Sequence, residues 1–294
     1  MTRLAILGFG LIGGSVAQAL TARRPGEWTI TAWSRGMAGP RTALDAGQID
    51  AVAEDPTRAA ADADLTLLAA SPSANVALIG RVGPAIAGSG RPLTDVTSVQ
   101  APMASAAAAV PGLRWVGGHP MSGREQAGYA AAEADLFVDR PWVVLPGPNA
   151  VPADVALVER LAGDCGARVL RLEPDAHDAA VALISQLPLV VASALVEAAA
   201  GAPDWPLAHT LAAQGWRDTT RLARGDAALG AGMLALNAAN VADALRRYRG
   251  VLEGWQARLD ELAAPGAPPA GVERLVAELE RLAIMARGEA NGHG

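Results

Sequence analysis

Three glycines near the start of the chain restrict its fold more than any other feature. The segment Gly8-Phe9-Gly10-Leu11-Ile12-Gly13 follows an apolar run at residues 4–7 and precedes helix-forming residues. At this spacing the first glycine permits a tight turn, the second permits close approach of a pyrophosphate, and the third lets the helix pack closely on the strand. The start of the helix also offers free backbone N–H groups to an anion. The segment therefore predicts the first strand–turn–helix unit of a nucleotide-binding sheet, and all its residues are candidate cofactor-binding residues.

The first half of the chain alternates short apolar runs with alanine-rich helical stretches, which is typical of βαβ units and a parallel sheet. The predicted strands are residues 4–7, 29–33, 65–69, 92–95, 115–116, 142–145 and 168–172. After residue 174 the strand signals stop, and the predicted helices are 175–200, 206–213, 217–222, 226–262 and 271–287. We therefore predict an α/β protein. A Rossmann-type, doubly wound and mostly parallel sheet occupies residues 1–172, and an all-α substrate and dimerisation domain occupies residues 173–294.

Composition excludes several classes of function. The chain has 294 residues and a formal net charge of −6, which argues against a protein that binds the phosphate backbone of nucleic acids. All 24 basic residues are arginine, so mechanisms that need a Schiff-base lysine or a lysine general base are excluded. The single cysteine, Cys165, cannot form an intrachain disulfide and suits a reducing compartment.

One uncharged stretch, residues 179–196, requires comparison with a membrane span. Gln186 and Pro188 interrupt it, and the acidic residues Asp178 and Glu197 flank it without a basic anchor nearby. We therefore expect a helix buried in a domain or dimer core and no membrane segment. No signal-peptide pattern precedes the first predicted strand, so we expect a cytoplasmic protein.

The end of the second predicted strand indicates which dinucleotide is bound. In NAD-binding proteins an acidic residue about 20 positions after the glycine segment binds the ribose 2′-hydroxyl. Ser34 and Arg35 stand at this distance instead, and a hydroxyl followed by a guanidinium suits a 2′-phosphate, to which Arg41 could add charge. The alternative is that Arg35 is only a solvated loop residue. We predict NADP as the preferred cofactor, with NAD possible, and include Ser71 among the candidate cofactor-binding residues.

A histidine framed by glycines is the strongest catalytic candidate. The chain has only four histidines, and His119 lies in the run Gly117-Gly118-His119-Pro120-Met121-Ser122-Gly123. Histidine can accept and return a proton near neutral pH without unusual tuning, and the flanking glycines leave the backbone open to a ligand. We expect His119 to act where the bound cofactor meets a substrate.

Several motifs resemble, in the same order, those of prephenate/arogenate dehydrogenases. They are the glycine segment, Asp95-Val96-Thr97-Ser98-Val99, Gly117-Gly118-His119-Pro120-Met121 and Gly215-Trp216-Arg217-Asp218-Thr219-Thr220-Arg221. The resemblance extends to about Tyr248, and the last two motifs together are specific. It implies oxidative decarboxylation of a cyclohexadienyl acid in tyrosine biosynthesis. Hydride leaves the ring carbinol carbon for a nicotinamide while carbon dioxide is lost across the ring, and aromatisation drives the reaction.

The resemblance implies a role for each candidate residue. His119 would accept the proton of the ring hydroxyl, and Ser98 would hydrogen-bond the same hydroxyl or orient the imidazole, with helix capping as its alternative. Arg221 would bind a substrate carboxylate, and Arg217 competes for this role. The pair His177-Asp178 would either cap a helix or line the cleft between the domains.

The chain departs from the family pattern at four positions in three segments. Gln100 stands where many members have a lysine, Gln186 and Leu189 stand where the family often has histidines, and Arg124 replaces a small hydroxyl residue. Ser122 and Gln186 remain candidate substrate-binding residues. These departures change the protein groups that could bind the substrate's side chain, which is pyruvyl in prephenate and alanyl in arogenate. The two compounds therefore stay alternative substrates.

Two other classes of protein share parts of this pattern. One is a different two-domain NADP enzyme, such as a β-hydroxyacid dehydrogenase or an imine reductase, but these usually depend on a lysine or an acid in the helical part. The other is a dinucleotide-binding regulatory protein without turnover, which the retained histidine and serine disfavour. We expect a small-molecule substrate, no metal, no nucleic-acid partner, and a homodimer formed through the C-terminal helices.

Overall fold

The computed structural model describes residues 1–124, 126–147, 149–265 and 269–288. Backbone contacts divide the chain into two compact units, Met1–Val241 and Ala242–Gly294. The boundary expected after residue 172 rests on the sequence pattern, where the strand signals stop, and it stays a prediction.

An eight-stranded sheet forms the centre of the first unit. Its strands are β1 (Thr2–Leu7), β2 (Trp28–Trp33), β3 (Ala51–Val52), β4 (Leu65–Leu68), β5 (Leu93–Asp95), β6 (Trp115–Pro120), β7 (Pro141–Pro146) and β8 (Arg168–Arg171). They lie in the order β3-β2-β1-β4-β5-β6-β7-β8, and all neighbours are parallel except β6 and β7. The mostly parallel, doubly wound sheet is therefore confirmed. Because the strand order reverses between β1 and β4, a crevice for a ligand is expected at their carboxyl ends.

Helices connect the strands and cover the sheet. They are α1 (Leu11–Arg23), α2 (Ala38–Asp45), α3 (Pro56–Asp62), α4 (Pro72–Ile86), α5 (Ala101–Ala108) and α6 (Pro152–Asp164). Two apolar clusters form the core: Phe137 and Trp142 belong to one cluster, and Trp115 belongs to the other. The two-residue strand β3 was not predicted, because two residues are too few to show the alternation of apolar and polar residues that marks a strand.

The described residues after β8 are mainly helical, as predicted. Its helices are α7 (Pro174–Val181), α8 (Leu187–Ala200), α9 (Trp205–Thr210), α10 (Gln214–Thr219), α11 (Ala227–Leu236), α12 (Ala238–Ala263) and α13 (Pro269–Ala286). One turn of π-helix, Ala182–Gln186, separates α7 from α8, and a 3₁₀ turn, Arg221–Arg224, follows α10.

Two predicted helices are therefore wrong in detail. The helix expected at 175–200 is interrupted by the π-turn, and the helix expected at 226–262 breaks at Asn237. The Asn237 side chain donates hydrogen bonds to the Asp178 carbonyl oxygen, at 2.8 Å, and to Gln186 Oε1, at 2.7 Å. These long-range bonds stabilise the break, and no local sequence rule could have located it.

The segment Pro174–Ala200 has the length and mean hydropathy of a membrane-crossing helix, and α11 and α12 together meet the same criteria as a bent pair. Within this segment His177, Asp178 and Gln186 are buried, and their side chains make hydrogen bonds with protein groups. Polar groups that are paired in this way are typical of a helix packed inside a protein. In α8, by contrast, only Ala192 is buried. The absence of a membrane span stays a prediction.

Candidate active site

The glycine segment lies at the carboxyl end of β1, at the point where the strand order reverses. Gly8 has a φ of +102°, and a Cβ atom there would lie 2.4 Å from the Ala70 nitrogen. A Cβ atom on Gly13 would lie 2.4 Å from the Gly8 oxygen, whereas a Cβ atom on Gly10 would meet nothing within 4 Å. Gly8 and Gly13 are thus required by the packing of the protein itself. Gly10 keeps open the space that a pyrophosphate would need.

The other residues of the segment differ in what they can offer a cofactor. Phe9 is only 5% exposed, and its ring stacks on Tyr129 with 5.4 Å between the centroids. Leu11 and Ile12 are partly buried and pack against the core of the sheet. These side chains therefore stabilise the fold, and only their backbone atoms are available to a cofactor.

The remaining candidate cofactor-binding residues lie at the ends of neighbouring strands. Ser34 follows β2 and is half-buried, and Arg35 is exposed. Ser71 follows β4 and precedes the first residue of α4. Asn75, which no sequence pattern indicated, is buried between the loops that follow β4 and β5. Its side chain accepts a hydrogen bond from the Ala70 nitrogen at 3.0 Å and donates one to Thr97 Oγ1 at 3.0 Å.

His119 is the next to last residue of β6, and its ring contacts a second histidine. His119 Nδ1 lies 2.8 Å from His177 Nε2, and His177 Nδ1 lies 2.8 Å from Asp178 Oδ1. Asp178 accepts hydrogen bonds from the backbone nitrogens of Gln100 and Ala101, each at 2.7 Å. A continuous chain of hydrogen bonds therefore runs from His119 to the start of α5.

Burial controls the charge of His119. Partial burial of the ring, with a smaller contribution from His177, lowers the pKa of His119 below its usual value. The imidazole is thus neutral near pH 7, which is the form that can accept a proton.

The pair His177-Asp178 was expected either to cap a helix or to line a cleft. Asp178 caps α5, a helix remote in sequence, because its two oxygens accept the hydrogen bonds at the start of that helix. No residue of the helix itself supplies a side-chain cap. The sequence did not predict that Asp178 would cap α5, nor that His177 would contact His119. Both interactions depend on the packing of α7 against α5.

Ser98 lies in the loop between β5 and α5 and is half-buried. Two residues later, the fully buried Gln100 joins this loop to the strand that carries His119. Its Nε2 donates to the Thr97 carbonyl oxygen at 2.6 Å and to the Gly118 carbonyl oxygen at 3.0 Å. Gln100 thus has a structural role, because it joins this loop to β6. It also donates to Asp95, and burial raises the pKa of that carboxyl group to about 6 despite this bond.

The candidate substrate-binding residues have different surroundings. Ser122 Oγ is buried and has no hydrogen-bond partner within the described residues. Gln186 is 2% exposed, and its amide oxygen accepts a hydrogen bond from the Asn237 side chain. Arg217 on α10 and Arg221 in the 3₁₀ turn are both exposed, and that turn packs against α8. Arg124 forms an ion pair with Glu133. Within the described residues no group of His, Cys, Asp and Glu side chains is arranged to hold a metal ion.

Sequence models of two family domains match the chain. One is described as "Prephenate dehydrogenase, nucleotide-binding domain" and matches residues 16–171. The other is described as "Prephenate dehydrogenase, dimerization domain" and matches residues 173–264. The two matches together include β2 to β8 of the sheet and all of α7 to α12.

Individual relatives agree with these matches. Prephenate dehydrogenase of Bacillus subtilis is 28% identical over 243 residues, which make up 82% of this chain and 65% of that relative. The crystal structure of Synechocystis arogenate dehydrogenase is 28% identical with a TM-score of 0.80, and 98% of each chain is covered. Prephenate dehydrogenase from Aquifex aeolicus, in complex with hydroxyphenyl propionate and NAD⁺, has the same fold, with a TM-score of 0.85, 24% identity and 98% of each chain covered.

Proposed function

We propose that this chain, which belongs to the prephenate dehydrogenase family, converts prephenate to 4-hydroxyphenylpyruvate by oxidative decarboxylation in tyrosine biosynthesis. The observation that carries this proposal is the imidazole of His119 at the end of β6, which is hydrogen-bonded to His177, itself in contact with Asp178. Such a group can accept the proton of the ring hydroxyl as the carbinol carbon becomes a carbonyl carbon. Family membership also disfavours a β-hydroxyacid dehydrogenase or an imine reductase.

A nicotinamide cofactor would supply the hydride acceptor when it is bound. The open space at Gly10 and the close packing at Gly8 and Gly13 support this assignment, because they leave one face of the turn accessible to a pyrophosphate. We assign its binding to residues 8–13, Ser34, Arg35 and Ser71. The structure of the Aquifex aeolicus relative with NAD⁺ supports a cofactor of this class.

The substrate is proposed to contact side chains from several elements. Ser98 would donate a hydrogen bond to the ring hydroxyl beside His119. The buried hydroxyl of Ser122, which has no protein partner within the described residues, would bind a polar group of the substrate. Arg221 or Arg217 would bind a substrate carboxylate, because a guanidinium is always charged and can form two parallel hydrogen bonds. For Gln186 only the amide nitrogen remains available.

The substrate assay follows NADPH formation by its absorbance with prephenate and, separately, with L-arogenate. We expect turnover of prephenate. Turnover of arogenate alone would establish the alternative, an arogenate dehydrogenase that forms tyrosine directly, which the similarity to the Synechocystis enzyme makes the second candidate. Binding of NADPH without turnover of either compound would contradict both and would favour a regulatory protein.

We further propose that NADP is preferred over NAD. Replacing Arg35 by alanine is then expected to lower kcat/KM for NADP by roughly 10- to 100-fold, because a hydrogen bond to a charged phosphate contributes about 1.5–3 kcal/mol. The value for NAD should change less than about twofold, which makes NAD the internal control. Equal decreases in kcat/KM for NADP and NAD would contradict the proposed role of Arg35. A preference of the unaltered enzyme for NAD would contradict the proposed preference for NADP.

We propose that the protein is a cytoplasmic homodimer formed through its C-terminal helices. Ile184, Leu207 and Leu211 are 67%, 66% and 74% exposed, which is costly for apolar side chains that remain in water. A second copy of the chain would cover them, and the second matching family domain is described as a dimerization domain. Light scattering of the purified protein should give twice the mass of one chain, and a stable monomer would contradict the proposal.

A further inference from the structure

We infer that His177, held by Asp178, positions His119 in the tautomer whose Nε2 is free to accept a proton. His177 thus acts through another residue and is a positioning residue. The inference rests on the proposed function, in which His119 accepts the hydroxyl proton. It adds a defined role for His177 and a defined accepting atom on His119.

The first step concerns the proton between Asp178 and His177. Asp178 Oδ1 accepts a hydrogen bond from the Gln100 nitrogen, and Oδ2 accepts one from the Ala101 nitrogen, each at 2.7 Å. Backbone N–H groups only donate, so the carboxylate acts as an acceptor for both. His177 Nδ1, which is 2.8 Å from the same Oδ1, must therefore carry the proton of that hydrogen bond.

The second step concerns the proton between the two rings. A neutral imidazole has one donor nitrogen and one acceptor nitrogen, so a neutral His177 with a proton on Nδ1 presents Nε2 as an acceptor. His119 Nδ1, 2.8 Å from this atom, then carries the second proton. The Nε2 atom of His119 is consequently unprotonated.

A protonated His177 would reverse this pattern. It would donate from both nitrogens, so that His119 Nδ1 became an acceptor and its Nε2 carried the proton, which would prevent His119 from acting as the base. Asp178 already receives two backbone hydrogen bonds at the start of α5. The two rings meet edge to face, with 5.0 Å between their centroids, and a single hydrogen bond joins His119 Nδ1 and His177 Nε2.

The same contacts explain how His119 could carry a charge during the reaction. Once Nε2 has accepted a proton, His119 is an imidazolium that still donates from Nδ1 to His177. His177 in turn still donates to Asp178, so the positive charge is connected to a carboxylate through two hydrogen bonds. Asp178 also holds the backbone two residues after Ser98. A change of Asp178 would therefore disturb two functional groups at once, and His177 is the better residue to replace.

The direct test is nitrogen NMR of the full-length protein labelled with ¹⁵N-histidine at neutral pH. The chain has only four histidines, and His119→Asn, His177→Gln and His209→Gln assign the signals by loss of one set each. We expect His119 and His177 both to carry their proton on Nδ1, with an unprotonated Nε2. A proton on Nε2 of His119 would overturn the inference. This result does not depend on turnover, so it can fail independently of the proposed function.

Two substitutions of His177 test the consequence for activity. Glutamine can accept from His119 Nδ1 through Oε1 and donate to Asp178 through Nε2, whereas leucine can do neither. We expect His177→Leu to lower kcat by roughly 100-fold with little change in KM and to leave His119 in mixed tautomers. His177→Gln should keep kcat within about tenfold of the unaltered enzyme and preserve the His119 tautomer.

Equal kcat values for the two variants, or an unchanged His119 tautomer in His177→Leu, would overturn the inference. Thermal unfolding of both variants provides the control for folding, because a purely structural role would lower stability without changing the tautomer. If His177→Leu does not fold, the spectrum of the unaltered protein and the spectrum of His177→Gln still decide the question.

Discussion

Replacing His119 by asparagine is expected to lower kcat by roughly 10²- to 10⁴-fold, the range that general acid–base catalysis contributes. Asparagine can still donate to the His177 ring, but its side chain cannot accept a proton from the substrate hydroxyl. The KM values for substrate and cofactor should change much less, because His119 is proposed to act on the reacting hydroxyl and not to bind a charged group. Initial rates with saturating NADP and either candidate substrate measure the effect.

The matched control for this substitution is His209→Asn on α9. His209 is exposed and contacts Trp205. The same substitution of histidine by asparagine is thus made at a residue that has no proposed catalytic role. We expect kcat to remain within about twofold of the unaltered enzyme. If His119→Asn keeps most of the original kcat while His209→Asn behaves in the same way, then His119 is not the base.

Replacing Gly10 by alanine is expected to weaken binding of the nicotinamide cofactor by roughly 100-fold, equivalent to about 2.7 kcal/mol. A Cβ atom on Gly10 would meet no protein atom within 4 Å, and its φ of −98° is accessible to any residue. The folded chain should therefore tolerate the methyl group. The pyrophosphate that is expected to approach this backbone should not, because the methyl group would occupy the space it needs.

Gly8→Ala provides the contrast. A Cβ atom there would lie 2.4 Å from the Ala70 nitrogen, and the left-handed φ adds strain, so this variant should unfold at a clearly lower temperature. Fluorescence titration with NADPH and thermal unfolding of both variants separate the two effects. An unchanged dissociation constant in Gly10→Ala would remove residues 8–13 from the cofactor site.

Local sequence patterns predicted most of the sheet, although the strand expected at 115–116 extends to Pro120 and so includes His119. The apolar runs predicted every strand except β3, and the glycine spacing predicted the turn between β1 and α1. The same approach misplaced the ends of the C-terminal helices. There the π-turn at Ala182–Gln186 and the break at Asn237 depend on side-chain hydrogen bonds between helices, which leave no periodic signal in the sequence.

The sequence by itself determined the family, the class of fold and the identity of the histidine at the end of β6. These properties follow from short-range rules: glycine permits turns that other residues cannot make, and apolar periodicity selects strands or helices. Only the tertiary structure brought His177 within 2.8 Å of His119 and placed Asp178 at the start of α5. The protonation of an imidazole depends on the partners of its two nitrogens, and those partners lie far away in the chain. The base could therefore be predicted from the sequence, whereas the group that orients it could be found only in the fold.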